Sequence, residues 1–311
     1  MGQSNDGDAA PRLPRTVQGL LGWAQQVQGE NRTDGPLQPM DAERAKWLEE
    51  ALKAMTVDEV QQIKEALSVL SDATDASAIL VALDNLHLIV ENLDSANDLQ
   101  LLGGWPSVSR LLSHSDASVR AKAAEVIATS VQNYPKAQAF ALDSGTIPAL
   151  LSLASDADAG CRKKAVLGLS ALVRGFEPAE AAWEAQGGVE VLAHLLADRD
   201  TGVLTKSLFF LVHVCAFQPK VKDAVREAQA LPTIASLVAH DNAQLREVAL
   251  AALVELCTGA ERNVQECRKE DVGLVRQIAA LKKEAEKCSA EEKEERREEI
   301  EHINRLAQIL A

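Results

Sequence analysis

The chain has 311 residues, 47% of them hydrophobic and only 3% aromatic, enough apolar material for one large core or a run of small ones and too much for disorder over most of its length. Lys and Arg total 32 against 46 Asp and Glu, a net charge of -14 that opposes binding to nucleic-acid phosphates or anionic membrane surfaces and suits a partner with basic patches. The Ala- and Leu-rich composition, nearly without strand signals, belongs to a helical protein whose elements approach through small residues.

Residues 1–39 read as a flexible N-terminal segment. It carries a short amphipathic helix, PRTVQGLLGWAQQV, around Leu20, Leu21 and Trp23, and then a linker rich in Gly, Pro and polar residues, QGENRTDGPLQP. The first residues, MGQSNDGDAAPRLPRT, lack the apolar core of a secretory signal. Residues 40–74 read as capping helices: Asp41 is placed to N-cap DAERAKWLEEALKAM, Trp47 anchors it, and TVDE at 56–59 forms a capping box between Thr56 and Glu59.

From there the chain repeats itself. VRAKAAEVIATSVQNYP, CRKKAVLGLSALVRGFEP and VLTKSLFFLVHVCAFQP superimpose at an offset of 42 residues, as do their followers. Gly103, Gly145 and Gly187 fall in register, and so do Lys122, Lys164 and Lys206; Arg162 aligns with Arg120, and a fainter copy continues at Arg246 and Val248. ILVALDNLHLIVENL sits one period before the first clear copy, so four to five repeats cover roughly residues 75–285. A helical period of this length, with a Gly before a short amphipathic helix, predicts an all-α, armadillo-like (armadillo or HEAT) right-handed solenoid with N- and C-terminal capping helices. Its long helices are expected at about 76–93, 119–133, 162–174, 204–216 and 246–258. Residues 286–311 predict a charged amphipathic helix with Ile300, Ile303, Leu306 and Leu310 on one side. Folding back as a cap on a monomer is favoured over dimerisation.

No chemistry emerges along the way. The chain has no phosphate-cradling G-x-x-x-x-G-K loop, no H-E-x-x-H and no nucleophile elbow, so no catalytic residue, metal ligand or cofactor is expected. His87, His194 and His213 fall within helical segments and His114 and His240 at helix ends, where solvated or satisfied imidazoles belong. The five cysteines form an odd set without a C-x-x-C pair, which suggests neither a disulfide framework nor a zinc site. Cys215 and Cys257 share one repeat position and read as small core residues, and Trp105 and Trp183 as packing at repeat junctions. The longest apolar run, SLFFLVHVCAF, is about half the roughly 20 residues that a membrane-spanning helix needs.

A solenoid without chemistry works through its concave face, lined in armadillo proteins by the third helix of each unit. Lys122, Lys164 and Lys206 form a ladder near the start of three such helices. Armadillo proteins that read nuclear-localisation peptides carry a Trp and, four residues on, an Asn there. This chain has Glu125 and Thr129, Leu167 and Ala171, Phe209 and His213, Ala251 and Glu255, which excludes that mode of clamping.

ENLDSAND with the upstream LDNLHLIV, LPRTVQGLLGWA, PMDAERAKWLEEAL, SVQN at 130–133 and NVQECR at 263–268 together resemble the armadillo-type nucleotide exchange factors of heat shock protein 70 chaperones, in the same order from about residue 12 to residue 285. The resemblance implies an array that embraces the second lobe of the chaperone's ATPase domain and displaces the other lobe, so that ADP leaves, with no bond made or broken. It implies that the ENLDSAND turn presents Glu91, Asn92, Asp94, Ala96 and Asn97 at the rim of the groove, with Ala96 small enough for close approach, and that Lys206 matches a basic contact position. It implies also that the LLGWA stretch (Leu20, Leu21, Trp23) competes for the chaperone's peptide site, and, as the chain ends in QILA without a retention signal, a home in the cytosol or nucleus. An armadillo scaffold for some other protein partner is the alternative.

Overall fold

The computed structural model describes residues 59–311, and Leu20, Leu21, Trp23, Asp41, Trp47 and Thr56 lie outside the described residues. Within them the chain is helical with no strand. Helices α1 (Glu59–Asp72) and α2 (Ala76–Ile89) lead into four triplets. The first is α3 (Leu93–Leu101), α4 (Trp105–Ser109) and α5 (Ala117–Val131); the second is α6 (Pro135–Asp143), α7 (Thr146–Leu153) and α8 (Ala159–Val173). The third is α9 (Glu177–Ala185), α10 (Gly188–Leu195) and α11 (Thr201–Phe217); the fourth is α12 (Lys220–Glu227), α13 (Ala230–Ser236) and α14 (Ala243–Cys257). Four more follow: α15 (Glu261–Cys267), α16 (Leu274–Lys287), α17 (Ala290–Glu295) and α18 (Arg297–Leu310).

Each long helix starts at a side-chain cap. Asp75, Asp116, Asp158, Asp200 and Asn242 stand in extended backbone ahead of α2, α5, α8, α11 and α14, and each side chain accepts a first-turn backbone N–H. The last four helices therefore begin two to three residues earlier than hydrophobic periodicity alone places them. Helix α2 ends at Ile89 rather than 93, because Asn92 accepts the N–H of Asp94 at 3.1 Å and caps α3. Most of ENLDSAND is thus the first turns of a helix, not a loop.

The long helices stack in sequence, α2 on α5, α5 on α8, α8 on α11 and α11 on α14, burying Leu83, Leu86, Ile127, Leu169, Leu172, Phe210 and Leu253. Before α7 and α10, and just ahead of α4, Gly145, Gly187 and Gly103 adopt φ of 70°, 80° and 70°, where a Cβ is disfavoured. Trp105 joins the first triplet to the second, meeting Phe140 edge-on and donating to Thr146 Oγ1 at 3.0 Å. Trp183 makes its ring contact with Phe210 inside its own triplet instead.

A second set of ties crosses between repeats. Arg120 forks onto Asp156 at 2.8 and 2.9 Å, and Arg162 onto Asp198 at 2.6 and 3.0 Å. Each also donates to two loop carbonyls, those of His114 and Ser115 for Arg120 and those of Asp156 and Ala157 for Arg162. The third triplet has Leu204 and His240 at these positions, and in the fourth Arg246 reaches Glu299 of α18 at 2.6 Å.

Helix α18 lies on α14, where a further long helix of the array would stand. Ile303, Leu306 and Leu310 are buried, and Ile300 is half-buried. The boundary expected at residue 285 falls inside α16.

Candidate functional site

Counting from the caps sets the register of the long-helix face. Six residues after each cap stand Val81, Lys122, Lys164, Lys206 and Val248; nine after stand Asp84, Glu125, Leu167, Phe209 and Ala251. The lysine ladder is therefore flanked by an exposed valine at one end and a buried one at the other.

Its first two rungs are tied down. Lys122 Nζ lies 2.7 Å from Asp84 Oδ1 and 3.2 Å from Glu125 Oε2, and Lys164 pairs with the other oxygen of Glu125. Burial disfavours the Lys122 charge, but hydrogen bonds to Asp84 and Glu125 outweigh it and raise the ammonium above its usual range. Burial likewise disfavours the Glu125 carboxylate, and the bonds from Lys164 and Lys122 hold it below the usual range. Lys122, Glu125 and Lys164 line a shallow hollow of about 360 Å³ with Leu80, Ala121 and Asp158.

The third rung is different. Lys206 is exposed and has no ion-pair partner among the described residues, because the acid's place one turn on is taken by Phe209. That ring is 50% exposed, while its neighbour Phe210 is 1% exposed. Helix α11 thus offers an unpaired cation beside an unburied aromatic. Phe209 was visible in the sequence only as a position lacking the peptide-clamping Trp; its exposure follows from the cap register.

Two helical histidines, His87 and His213, pack into the array. His87 Nε2 bonds Thr129 Oγ1 at 3.0 Å across α2 and α5, and burial, with the Arg174 guanidinium, lowers the basicity of His213. Cys215 and Cys257 are buried, and burial pushes the Cys215 thiol up to about 12. Among the described residues no group of His, Cys, Asp and Glu is placed to hold a metal ion, and no helix is long and apolar enough to cross a membrane.

At the junction of α2 and α3, Glu91, Asn92 and Asp94 are exposed and Asn97 is half-buried. Ala96 is only 4% exposed, and its neighbour Ser95 donates to the Glu59 carboxylate of α1. The small side chain at 96 therefore packs within the chain rather than standing at its surface.

Three family models match: the SIL1/FES1/HPBP1 C-terminal domain over residues 95–214, the nucleotide exchange factor Fes1 over 17–99, and the armadillo/beta-catenin-like repeat over 218–258. Hsp70-binding protein 1 of Rattus norvegicus is 32% identical over 315 residues, covering 96% of this chain and 86% of its own length. Hsp70 nucleotide exchange factor fes1 of Schizosaccharomyces pombe is 35% identical over 120 residues, covering 38% of this chain and 41% of its own. Among solved structures, a designed armadillo repeat protein superimposes with a TM-score of 0.63 at 18% identity, over 81% of this chain and 98% of its own. That likeness establishes the armadillo fold.

Proposed function

The chain belongs to the family of Hsp70-binding protein 1 and the Fes1 nucleotide exchange factors, and from that premise we propose that it grips the ATPase domain of an Hsp70 chaperone with its long-helix face and speeds the release of ADP. The family makes it a nucleotide-exchange co-chaperone and not a catalyst of bond chemistry. The observation that carries the finer reading is the pairing of Lys206 with half-exposed Phe209 on α11. A desolvated aromatic anchor beside a cation is the kind of patch on which binding energy concentrates.

In this reading the patch seats on the second lobe of the ATPase domain, Phe209 filling an apolar recess and Lys206 facing a carboxylate. The body of the array then clashes with the first lobe in its closed position. Exchange follows from differential affinity: the factor binds the opened domain more tightly than the closed, ADP-bound one, and shifts the population accordingly. Lys122 and Lys164, held and neutralised by Asp84 and Glu125, shape the face, and Glu91, Asn92, Asp94 and Asn97 lie at its first edge. The factor acts as a monomer in the cytosol, and the segment with Leu20, Leu21 and Trp23 competes for the chaperone's peptide site.

The test is stopped-flow release of a fluorescent ADP analogue from a cytosolic Hsp70. Wild type in excess accelerates release by about tens-fold. Phe209→Ala removes an anchor worth about 2 kcal/mol, which weakens the half-saturating concentration by roughly 30-fold, and Lys206→Glu weakens it further. Exchange at wild-type strength by the folded double variant would place the contact elsewhere; no acceleration by folded wild type would leave a scaffold for another partner.

A further inference from the structure

Cys257 closes α14 and Cys267 closes α15, and their sulfurs lie 3.7 Å apart in the interior, sharing an S–H···S hydrogen bond. One period earlier the same two positions hold Cys215 and Val225, and two periods earlier Val173 and Trp183, all buried. Those earlier pairs cannot cross-link. Where the fourth triplet meets α15, two adjoining thiols stand in place of that apolar contact.

Two further features separate this pair from Cys161 and Cys215. A hollow of about 610 Å³ opens at this corner, lined by Cys257 with Thr258, Gly259, Arg305 and Ile309, so solvent reaches the end of α14 that carries the buried sulfur. The Lys222 ammonium, whose field also reaches Cys215, stands at the same helix end, donating to Thr258 O at 2.8 Å, and a cation there favours a thiolate. The hydrogen bond shared with Cys267, with Lys222 in support, holds the Cys257 thiol below its usual range despite burial, whereas burial raises Cys161 to about 11 and Cys215 to about 12.

We propose that Cys257 and Cys267 form a thiol–disulfide site, oxidised in the folded protein by hydrogen peroxide or another small hydroperoxide. With hydrogen peroxide, the Cys257 thiolate attacks one oxygen, the O–O bond breaks, and the departing hydroxide takes up a proton to become water, leaving a sulfenic acid. The Cys267 sulfur then displaces that hydroxyl, the S–S bond forms, and the Cys267 proton leaves with the hydroxyl as a second water. Two thiols give up two electrons and one peroxide becomes two waters. The sulfurs must close from 3.7 Å to about 2 Å, a shift shared by the end of α14 and the seven-residue α15 across the Gly259 turn. The bond forms beside Arg268, whose guanidinium holds the last carbonyls of α18 at 3.1 and 3.4 Å. Oxidation therefore ties down the seat of the terminal helix.

The experiment treats the folded full-length protein with hydrogen peroxide, counts free thiols after denaturation and maps peptides without reduction. The expected result is the loss of two of the five thiols, a Cys257–Cys267 linked peptide, and recovery of both thiols with dithiothreitol. Cys267→Val, which copies Val225, yields no linked peptide and leaves a Cys257 sulfenic acid that dimedone captures. Should wild type lose only Cys288, or carry Cys257 to the sulfinic acid without a linked peptide, the proposal fails. The mapping of wild type decides the matter even where the variant does not fold.

Discussion

Gln229 stands one period after Gly187 and adopts φ 56° to make the turn into α13 that glycine makes in the repeats before it. A left-handed conformation costs a residue with a Cβ about 1–2 kcal/mol, and glycine recovers most of that while giving up roughly 0.5–1 kcal/mol in unfolded-chain entropy. Gln229→Gly is therefore expected to raise stability by about 0.5 kcal/mol in urea denaturation, and a loss of stability would mean that the glutamine side chain contributes more than its strain. Repeat register reveals such a position because it compares like with like. The same comparison makes Lys206 legible, as one rung of a ladder. It does not reveal Phe209: the adjacent Phe209 and Phe210 look alike in SLFFLVHVCAF, and only the distance from the Asp200 cap turns Phe209 outward and Phe210 in. Ala96 shows the converse, for smallness in a sequence does not say which neighbour needs the space. The ladder's acid row is equally unannounced in its effect, in that nothing about Glu125 taken alone says that it binds two lysines from successive long helices.

The Arg120–Asp156 and Arg162–Asp198 forks tie one triplet to the next, with every side chain less than a fifth exposed. Hydrogen bonds from the arginines hold Asp156 and Asp198 below the usual carboxylate range. A depressed carboxylate stabilises the fold above its unfolded value of about 3.9, and that contribution is lost as pH falls through the folded value. Asp198→Asn keeps an oxygen for the N–H of Asp200, now 2.8 Å away, but loses the charge facing Arg162. It is expected to cost about 1.5–3 kcal/mol at pH 7 and progressively less as pH falls below about 4, measured by urea denaturation across that range. A cost of the same size at pH 3 would show that shape and not charge was lost. The forks could be anticipated only in half, since the arginines repeat at 42 residues while their acceptors lie 36 residues downstream in loops. The long helices start earlier than periodicity places them for a related reason: periodicity registers the buried stripe, which begins inside the helix, whereas the cap that starts it is a single Asp or Asn.

Between residues 59 and 311 the stack is quasi-linear, each long helix leaning on the ones before and after it, so its stability is a sum of local terms and its ends are vulnerable. Helix α18 closes one end. Ile303, Leu306 and Leu310 are buried there, and Glu299, 3% exposed, lies between Arg246 and Arg296. Burial disfavours the Glu299 charge, yet bonds from the two arginines keep its carboxyl below the usual range. Deleting residues 297–311 would expose α14 and strand Arg246. At about 1.5–3 kcal/mol for each buried aliphatic side chain, the loss is on the order of 5–8 kcal/mol, comparable to the whole stability of an ordinary domain. In a linear array that loss falls first on the adjoining unit. Hydrogen exchange of the truncated protein is therefore expected to show α14 and α15 unprotected, α5 and α8 still protected, and α11 between the two. Because α11 carries Lys206 and Phe209, acceleration of ADP release should weaken together with its protection. A truncated protein with full protection in α14 would mean that α18 rests on the stack without supporting it, and one unfolded throughout would mean that the array is a single cooperative unit.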